Sequence, residues 1–406
     1  MREGPTSRRP LHWGWPLGAA CAAALAAFGS LVATSGLIER IRADLGLTYA
    51  QGGFLLSIPF PLIAFFAVAG GRVVDLLGAR RVLMAGGLLV LIGGGGRAWA
   101  GGFGGVALGT ALVGAGMGLI FPVLPKIVSG GVPPGRRSLG ATLYTVSLVS
   151  GAGCGVALSH LMGGALGPWL SPGASGAVWR GGYLAWALLL GAALLLWGAV
   201  GSGGEEEAEA PPSSASLSQA VLRNPAVWGV AASLFINNLV FYTGLGWLPS
   251  LLAGKGWSPA GAAGLVSLMP WLGVAAVLVT VPAARAIGGD RRMIAACALL
   301  TAAGLAAMPP GGPWLAAAGP ALLGFSTNFW FLLCLAFPAR RVERAHAGTA
   351  GGLIIGVGYL GGFIGPWAAG ALRDLAGGFG PAVYALAALS LLGILTAPAF
   401  EAGPKE

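Results

Sequence analysis

Apolar residues in this chain fall into long runs rather than at the spacing of an amphipathic helix or strand. Twelve of these runs approach the about 20 residues needed to cross a hydrocarbon core, and clusters of Gly, Pro and Arg divide them. The first six lie at 15–38, 52–74, 82–99, 103–124, 139–162 and 182–200. Residues 201–223, GSGGEEEAEAPPSSASLSQAVLR, then interrupt the pattern. This acidic, Pro/Ser-rich stretch cannot cross a bilayer and carries one short amphipathic turn near its end. Six more runs follow at 225–248, 260–282, 293–308, 314–337, 349–372 and 380–398. The expected fold is therefore an all-α membrane protein of twelve transmembrane helices. It divides into an N-terminal six-helix bundle (1–200), a linker (201–223) and a C-terminal six-helix bundle (224–406).

An even number of crossings puts both termini on one side and sorts the loops into two sets. Of the 23 Lys and Arg residues, 17 fall in the set that holds the termini and the linker, among them Arg72, Arg80, Arg81, Arg291, Arg292 and Arg340. By the positive-inside rule that side is cytoplasmic. The expected location is the cytoplasmic (inner) membrane, multi-pass, with both termini inside. The first run follows Arg8 and Arg9 and is Ala-rich. It is too long for a signal peptide and passes straight into a multi-spanning chain, so it reads as a retained helix.

Composition narrows the class further. With 56% hydrophobic residues, 9% charged and a mean hydropathy of +0.81, the chain lacks the roughly one-quarter charged residues that coat a soluble domain. Disorder is excluded on the same grounds. The net charge of +10 is explained by topology and implies no nucleic-acid partner. The four cysteines, Cys21, Cys154, Cys297 and Cys334, sit inside apolar runs without metal-ligand spacing. No zinc motif or phosphate loop is present, so no cofactor is expected. Glycine, at 73 of 406 residues, lets membrane helices approach closely. It is densest at Gly114, Gly116, Gly118 and at Gly151, Gly153, Gly155.

The most specific signal is GRVVDLLGARR, Gly71 to Arg81, between the second and third runs. Gly71 and Gly78 permit a tight turn between close-packed helices, Asp75 supplies a carboxylate at a helix end, and Arg80 with Arg81 anchor the headgroup side. A degenerate copy, PAARAIGGDRR, occupies the equivalent loop of the second half. Gly78 corresponds to Gly289 and Arg80, Arg81 to Arg291, Arg292, while Asp75 corresponds to Ala286. The common offset of 211 residues is that of two parallel repeats.

This loop, with the six-plus-six organisation, resembles the signature of the major facilitator superfamily of secondary transporters. The resemblance implies alternating access, in which two bundles rock about a site near the bilayer midplane. It also implies a gating role for Gly71, Asp75, Gly78, Arg80 and Arg81. Asp75 is expected to meet the N-terminal end of the eleventh helix, near residues 347–349, where the helix dipole favours an anion. FYTGLGWLPSLLAGKGWSPAGAAGL (Phe241 to Leu265), GVGYLGGFIGPWAAGALRDLAGGF (Gly356 to Phe379), residues 38–47 and the LYTVSL run around Tyr144 are similar to cyanate and nitroimidazole permease-like members. That implies small anions or small polar organic molecules as substrates. The subgroup carries an arginine in helix 1 where this chain has Phe28.

Candidate site residues are the polar groups and aromatics of helices that the resemblance makes cavity-lining. They are Asn237, Asn238 and Tyr242 in helix 7, Asn328 in helix 10 and Tyr359 in helix 11, with Tyr144, Trp247 and Trp271 for shape and stacking. No carboxylate lies at a helix centre. His160 is the one titratable candidate for a coupling proton in helix 5, and Arg97, at the end of helix 3, is expected to snorkel to headgroups. The sequence thus predicts a secondary transporter, not an enzyme, for a small polar or anionic organic solute. Its partners are that solute, a possible coupling proton or ion and the bilayer, and it is expected to be a monomer. Efflux of an amphipathic drug-like compound is the alternative. A membrane enzyme would need paired acids, a metal cluster or an activated nucleophile within the helices, and a sensor would need a soluble signalling domain. None of these is visible.

Overall fold

A computed structural model describes residues 13–170, 176–200 and 219–401, and these are helical almost throughout, with no strand among them. The 201–218 part of the linker, and the terminal basic residues Arg2, Arg8, Arg9 and Lys405, lie outside the described residues. The helices are α1 (Gly14–Leu45), α2 (Tyr49–Ser57), α3 (Pro59–Leu77), α4 (Ala79–Gly96), α5 (Phe103–Gly131), α6 (Arg137–Leu170) and α7 (Ala177–Val200), then α8 (Gln219–Leu222), α9 (Pro225–Gly254), α10 (Pro259–Ala286), α11 (Asp290–Ala307), α12 (Pro313–Arg341), α13 (Arg344–Ala376) and α14 (Gly380–Thr396). Most overrun the apolar runs by several residues at one or both ends, because helical hydrogen bonding continues into the headgroup zone after hydrophobicity stops. The second run is divided between α2 and α3. Pro59 has no N–H to continue the ladder, and a new helix starts with it at the first position.

Eleven spans among the described residues are long and apolar enough to cross a membrane. α11 is the shortfall, since it is 18 residues long and begins with Asp290, Arg291 and Arg292. The expected amphipathic turn is α8, where Leu222 O accepts the Trp228 indole N–H at 2.8 Å.

Within the first half α1 packs on α6 and α7, and α5 on α3 and α4. In the second half α9 packs on α13, α10 on α12, and α11 on α14. Glycines set two of the closest approaches. A Cβ at Gly151 would overlap the Leu25 carbonyl across the α1–α6 seam, and one at Gly361 would overlap the Phe235 carbonyl across the α9–α13 seam. The repeat offset survives in three dimensions. Gly78 (φ 80°) caps the start of α4 and Gly289 (φ 111°) the start of α11, both in backbone conformations that favour glycine.

Calling the end where α1 begins and α7 finishes the base, and the opposite end the top, the two halves meet chiefly along α2 and α3 with α13, α6 with α10 and α1 with α9. Trp247 closes part of this top seam. Its indole N–H donates to Pro366 O at 2.8 Å, and its ring lies 5.6 Å from Tyr49 and 5.3 Å from Phe379.

Candidate functional site

A cavity of about 610 Å³ lies between the bundles. Most of its wall comes from the base-side halves of the helices, so it opens towards the base and ends beneath the closed top. The first bundle contributes Phe28, Phe121, Tyr144 and Thr145, and the second contributes Asn237, Asn238, Phe241, Tyr242, Thr327, Asn328, Phe331 and Tyr359. No charged side chain is among the lining residues described.

The helix period explains the amide cluster. Asn237, Asn238, Phe241 and Tyr242 stand at i, i+1, i+4 and i+5 on α9, so all four turn to the same side. Asn237 and Asn238 are 1% and 2% exposed. The Asn237 carbonyl oxygen is buried with no hydrogen-bond partner. Asn328 is committed on one side only: its amide nitrogen donates to Met269 O at 2.8 Å and Gly324 O at 2.6 Å. Its carbonyl oxygen therefore remains as an acceptor in the wall. The hydroxyl of Thr145 donates back to Ala141 O at 2.9 Å, and that of Thr327 donates to Leu323 O.

Aromatic rings form the rest. Phe28 and Phe121 meet edge to face at 6.1 Å. Towards the top, Phe60 lies 4.1 Å from Tyr242 and stacks on Tyr359 at 6.0 Å, a cluster that joins the two bundles above the cavity. Such a chamber offers flat apolar faces and fixed amide acceptors, the requirements for holding a small planar polar molecule.

The cavity thus gathers Asn237, Asn238, Tyr242, Asn328, Tyr359 and Tyr144. Trp247 is not among them, being built into the top seam. Trp271 is 40% exposed and lies beside Gly153 at the α6–α10 contact, outside the cavity wall. Phe121, Phe241, Phe331 and the two threonines were not singled out from sequence, since their residue types are indistinguishable there from lipid-facing or core positions. Of the dense glycines, Gly114 approaches Pro59, Gly116 approaches Gly86, and Gly151 and Gly155 approach α1, all within the first bundle, whereas Gly153 faces the second.

At the base, Asp75 does not meet the start of α13 in this conformation. Its carboxylate accepts from the Lys126 ammonium of α5 at 2.6 Å, and a methyl group at Gly71 would find open space. Arg80 donates to Gly198 O at 3.0 Å and accepts the Trp197 indole N–H on its own carbonyl at 3.3 Å, while Arg81 is exposed. In the second half Arg340 of α12 holds Asp290 at 3.0 Å. Lys126 and Arg340 thus lie near the base ends of the corresponding helices α5 and α12, though not at register-equivalent positions, and each pairs with a carboxylate of the adjacent repeat loop.

Arg97 departs from expectation. Instead of reaching the headgroups it is fully buried, donating to the Thr34 hydroxyl at 3.1 Å and to the Ser30 carbonyl and hydroxyl at 2.8 and 2.9 Å, with its guanidinium 4.0 Å from the centre of the Tyr183 ring. Hydroxyls, a carbonyl and a π face replace the hydration of the charge. The signal in the sequence was the Ser30/Thr34 pair, one turn apart on α1. His160 lies near the top, its Nε2 3.3 Å from Arg40 Nη2.

The family model described as Major Facilitator Superfamily matches residues 19–366. The chain is 30% identical over 364 residues to the 2-nitroimidazole transporter of Escherichia coli (strain K12), a match covering 88% of this chain and 87% of that protein. To the cyanate transport protein CynX of the same organism it is 24% identical over 362 residues, covering 86% and 87%. The structure of a D-xylose-proton symporter superposes with a TM-score of 0.76 at 16% identity, covering 95% of this chain and 97% of that one.

Proposed function

This chain belongs to the Major Facilitator Superfamily and is a multi-pass secondary transporter of small organic solutes working by alternating access; we propose that its substrate is an uncharged, planar, hydrogen-bonding molecule of the size of a substituted azole. The observation that carries this reading is the buried Asn237 carbonyl oxygen, left without a partner in a cavity wall whose described residues bear no charge. An orphaned buried acceptor costs about 1–3 kcal/mol, which a substrate N–H or O–H donor recovers once the Asn237 side chain turns into the cavity. The rings of Phe28, Phe121, Tyr144 and Tyr359 supply faces for a flat solute.

An anion such as cyanate would leave water for a wall without a cation, a large cost. Phe28, standing where the permease subgroup has an arginine, lines that wall. The 2-nitroimidazole of one relative's name matches the proposed chemistry, and the cyanate of the other does not. The concentration of Lys and Arg at the base supports a cytoplasmic base, the orientation expected of an inner-membrane protein. The apolar share of the wall gives efflux of a larger amphipathic compound as a second reading.

Uptake into proteoliposomes tests these readings with 2-nitroimidazole, cyanate, a short carboxylate and a lipophilic cation, each with and without an imposed pH gradient. Saturable 2-nitroimidazole uptake that excess cyanate does not inhibit is expected, together with acquired cyanate inhibition in Phe28→Arg. Saturable cyanate uptake by the parent protein would refute the neutral-substrate reading, and accumulation of the cation alone would replace it with efflux. A pH-gradient dependence of the rate would identify a coupled proton.

A further inference from the structure

The top seam contains a contact that the substrate site does not need. Near the end of α13, Asp374 reaches across to the other bundle. Its Oδ1 accepts the Tyr49 backbone N–H at 3.0 Å and its Oδ2 the Ala50 backbone N–H at 2.7 Å. These are the first two donors of α2. The third, Gln51 N–H, goes to the Thr48 hydroxyl, and the Gln51 side chain returns to the Thr48 N–H. A helix start exposes donors that need acceptors, and its dipole favours a negative charge. Here half of the cap is local and half comes from the opposite bundle. The Arg42 guanidinium, 3.3 Å from the Tyr49 ring centre, and that of Arg373, 4.3 Å from it, pin the same residue, and a Cβ at Gly370 would strike the Tyr49 carbonyl.

The sequence around Asp374 repeats a pattern already met. Gly370-Ala-Leu-Arg-Asp374-Leu375-Ala-Gly377 and Gly71-Arg-Val-Val-Asp75-Leu76-Leu-Gly78 both read G-x-x-x-D-L-x-G, 299 residues apart. Each finishes a long helix, and each ends on a glycine with positive φ, 80° at Gly78 and 74° at Gly377. An aspartate in the last turn opposes its own helix dipole, so its place at both ends runs against local preference. The 211-residue repeat does not account for the pair. What relates them is that α2/α3 and α13 lie side by side and antiparallel, so each octad ends its helix on the side where the other helix begins. At the top the octad is engaged and its first glycine is in tight contact. At the base Gly71 faces open space and Asp75 is held by Lys126.

We propose that Asp374 is a positioning residue of the transport cycle, latching the top mouth shut through the start of α2, a counterpart at the top of the base latch that the family resemblance implies for Asp75. Loss of two charge-assisted hydrogen bonds at an exposed site should move the ratio of top-open to top-closed molecules by about tenfold.

Double electron–electron resonance on the full chain tests this, after replacement of its four cysteines. Spin labels go at the exposed positions Ala43 and Ala260 across the top, and separately at the exposed Ser129 and Ala339 across the base. In Asp374→Ala the top distance is expected to gain a longer component while the base distance gains a shorter one, with no substrate present. Asp374→Asn keeps the shape of the side chain but loses its charge, so it shows the same shift in smaller measure and decides the matter if the alanine variant does not fold. Unchanged distributions in the folded variants overturn the proposal, as does widening of the top without narrowing of the base. Since no solute is used, this failure is separate from any failure of the substrate reading.

Discussion

The two bundles share a fold and a repeat offset but line the cavity differently. The first presents Phe28, Phe121, Tyr144 and a Thr145 hydroxyl already donating to its own helix. The second presents three asparagines, one of them with an unpaired buried carbonyl. The contrast is reversed, with charge in place of amide, at the ends of the third helices. Arg97 follows α4 and Met308 follows α11, again 211 residues apart, and both are fully buried. In the first bundle the strongest polar group, Arg97, is turned inward and held by its own neighbours with only its Nε unpartnered, whereas in the second the unpartnered amide oxygen belongs to a residue of the cavity wall. The proposed substrate reading thus places most polar contacts on the second bundle, with the first supplying mainly aromatic wall.

The largest effect that would break this comparison is at Arg97. Arg97→Ala should cost about 2–4 kcal/mol, through lost packing and through hydroxyls left without their donor. Arg97→Met, which copies the other bundle, should stay within about 1 kcal/mol of the parent, since replacing a buried charge by an apolar group of similar volume is often neutral. Thermal unfolding in detergent measures both, and equal damage from the two variants would show that the charge has a role beyond filling space. Next comes Asn237→Ala, expected to weaken substrate affinity about 10- to 100-fold, against less than about threefold for Thr145→Val on the facing wall. Competition binding sharpens the comparison, and equal losses would abolish it. The smallest effect is that of Lys126→Ala. The pair with Asp75 is 39% and 33% exposed, so its removal should change unfolding stability by less than about 1 kcal/mol, as read in the same melts.

Much of this was legible in the sequence because lipid imposes a simple rule. Runs of apolar residues must be helices, and runs such as 225–248 therefore grew into helices like Pro225–Gly254 with their starts well placed. The amides at 237, 238 and 328 stood out because polar groups are rare in such runs. Aromatics gave less. Trp247 and Tyr359 look alike as rings in neighbouring cavity-lining helices, yet one seals the top seam and the other lines the cavity, a distinction of a few ångströms along the membrane normal that no local pattern records. Arg97 was misplaced for a related reason: a charge at a helix end reaches outward by default, and only the distant Tyr183 and the α1 hydroxyls reverse that. Asp374 went unnoticed because its octad sits outside the 211-residue register in which repeats were compared.

The break before Pro59 has a consequence for how the molecule can be divided. Below it α3 packs on α5 of its own bundle, while above it the nine residues of α2 pack mainly on α13 of the other. The mechanical border between the halves therefore does not coincide with the linker that separates them along the chain. At the top it runs through the middle of a single membrane crossing, and a proline marks the spot.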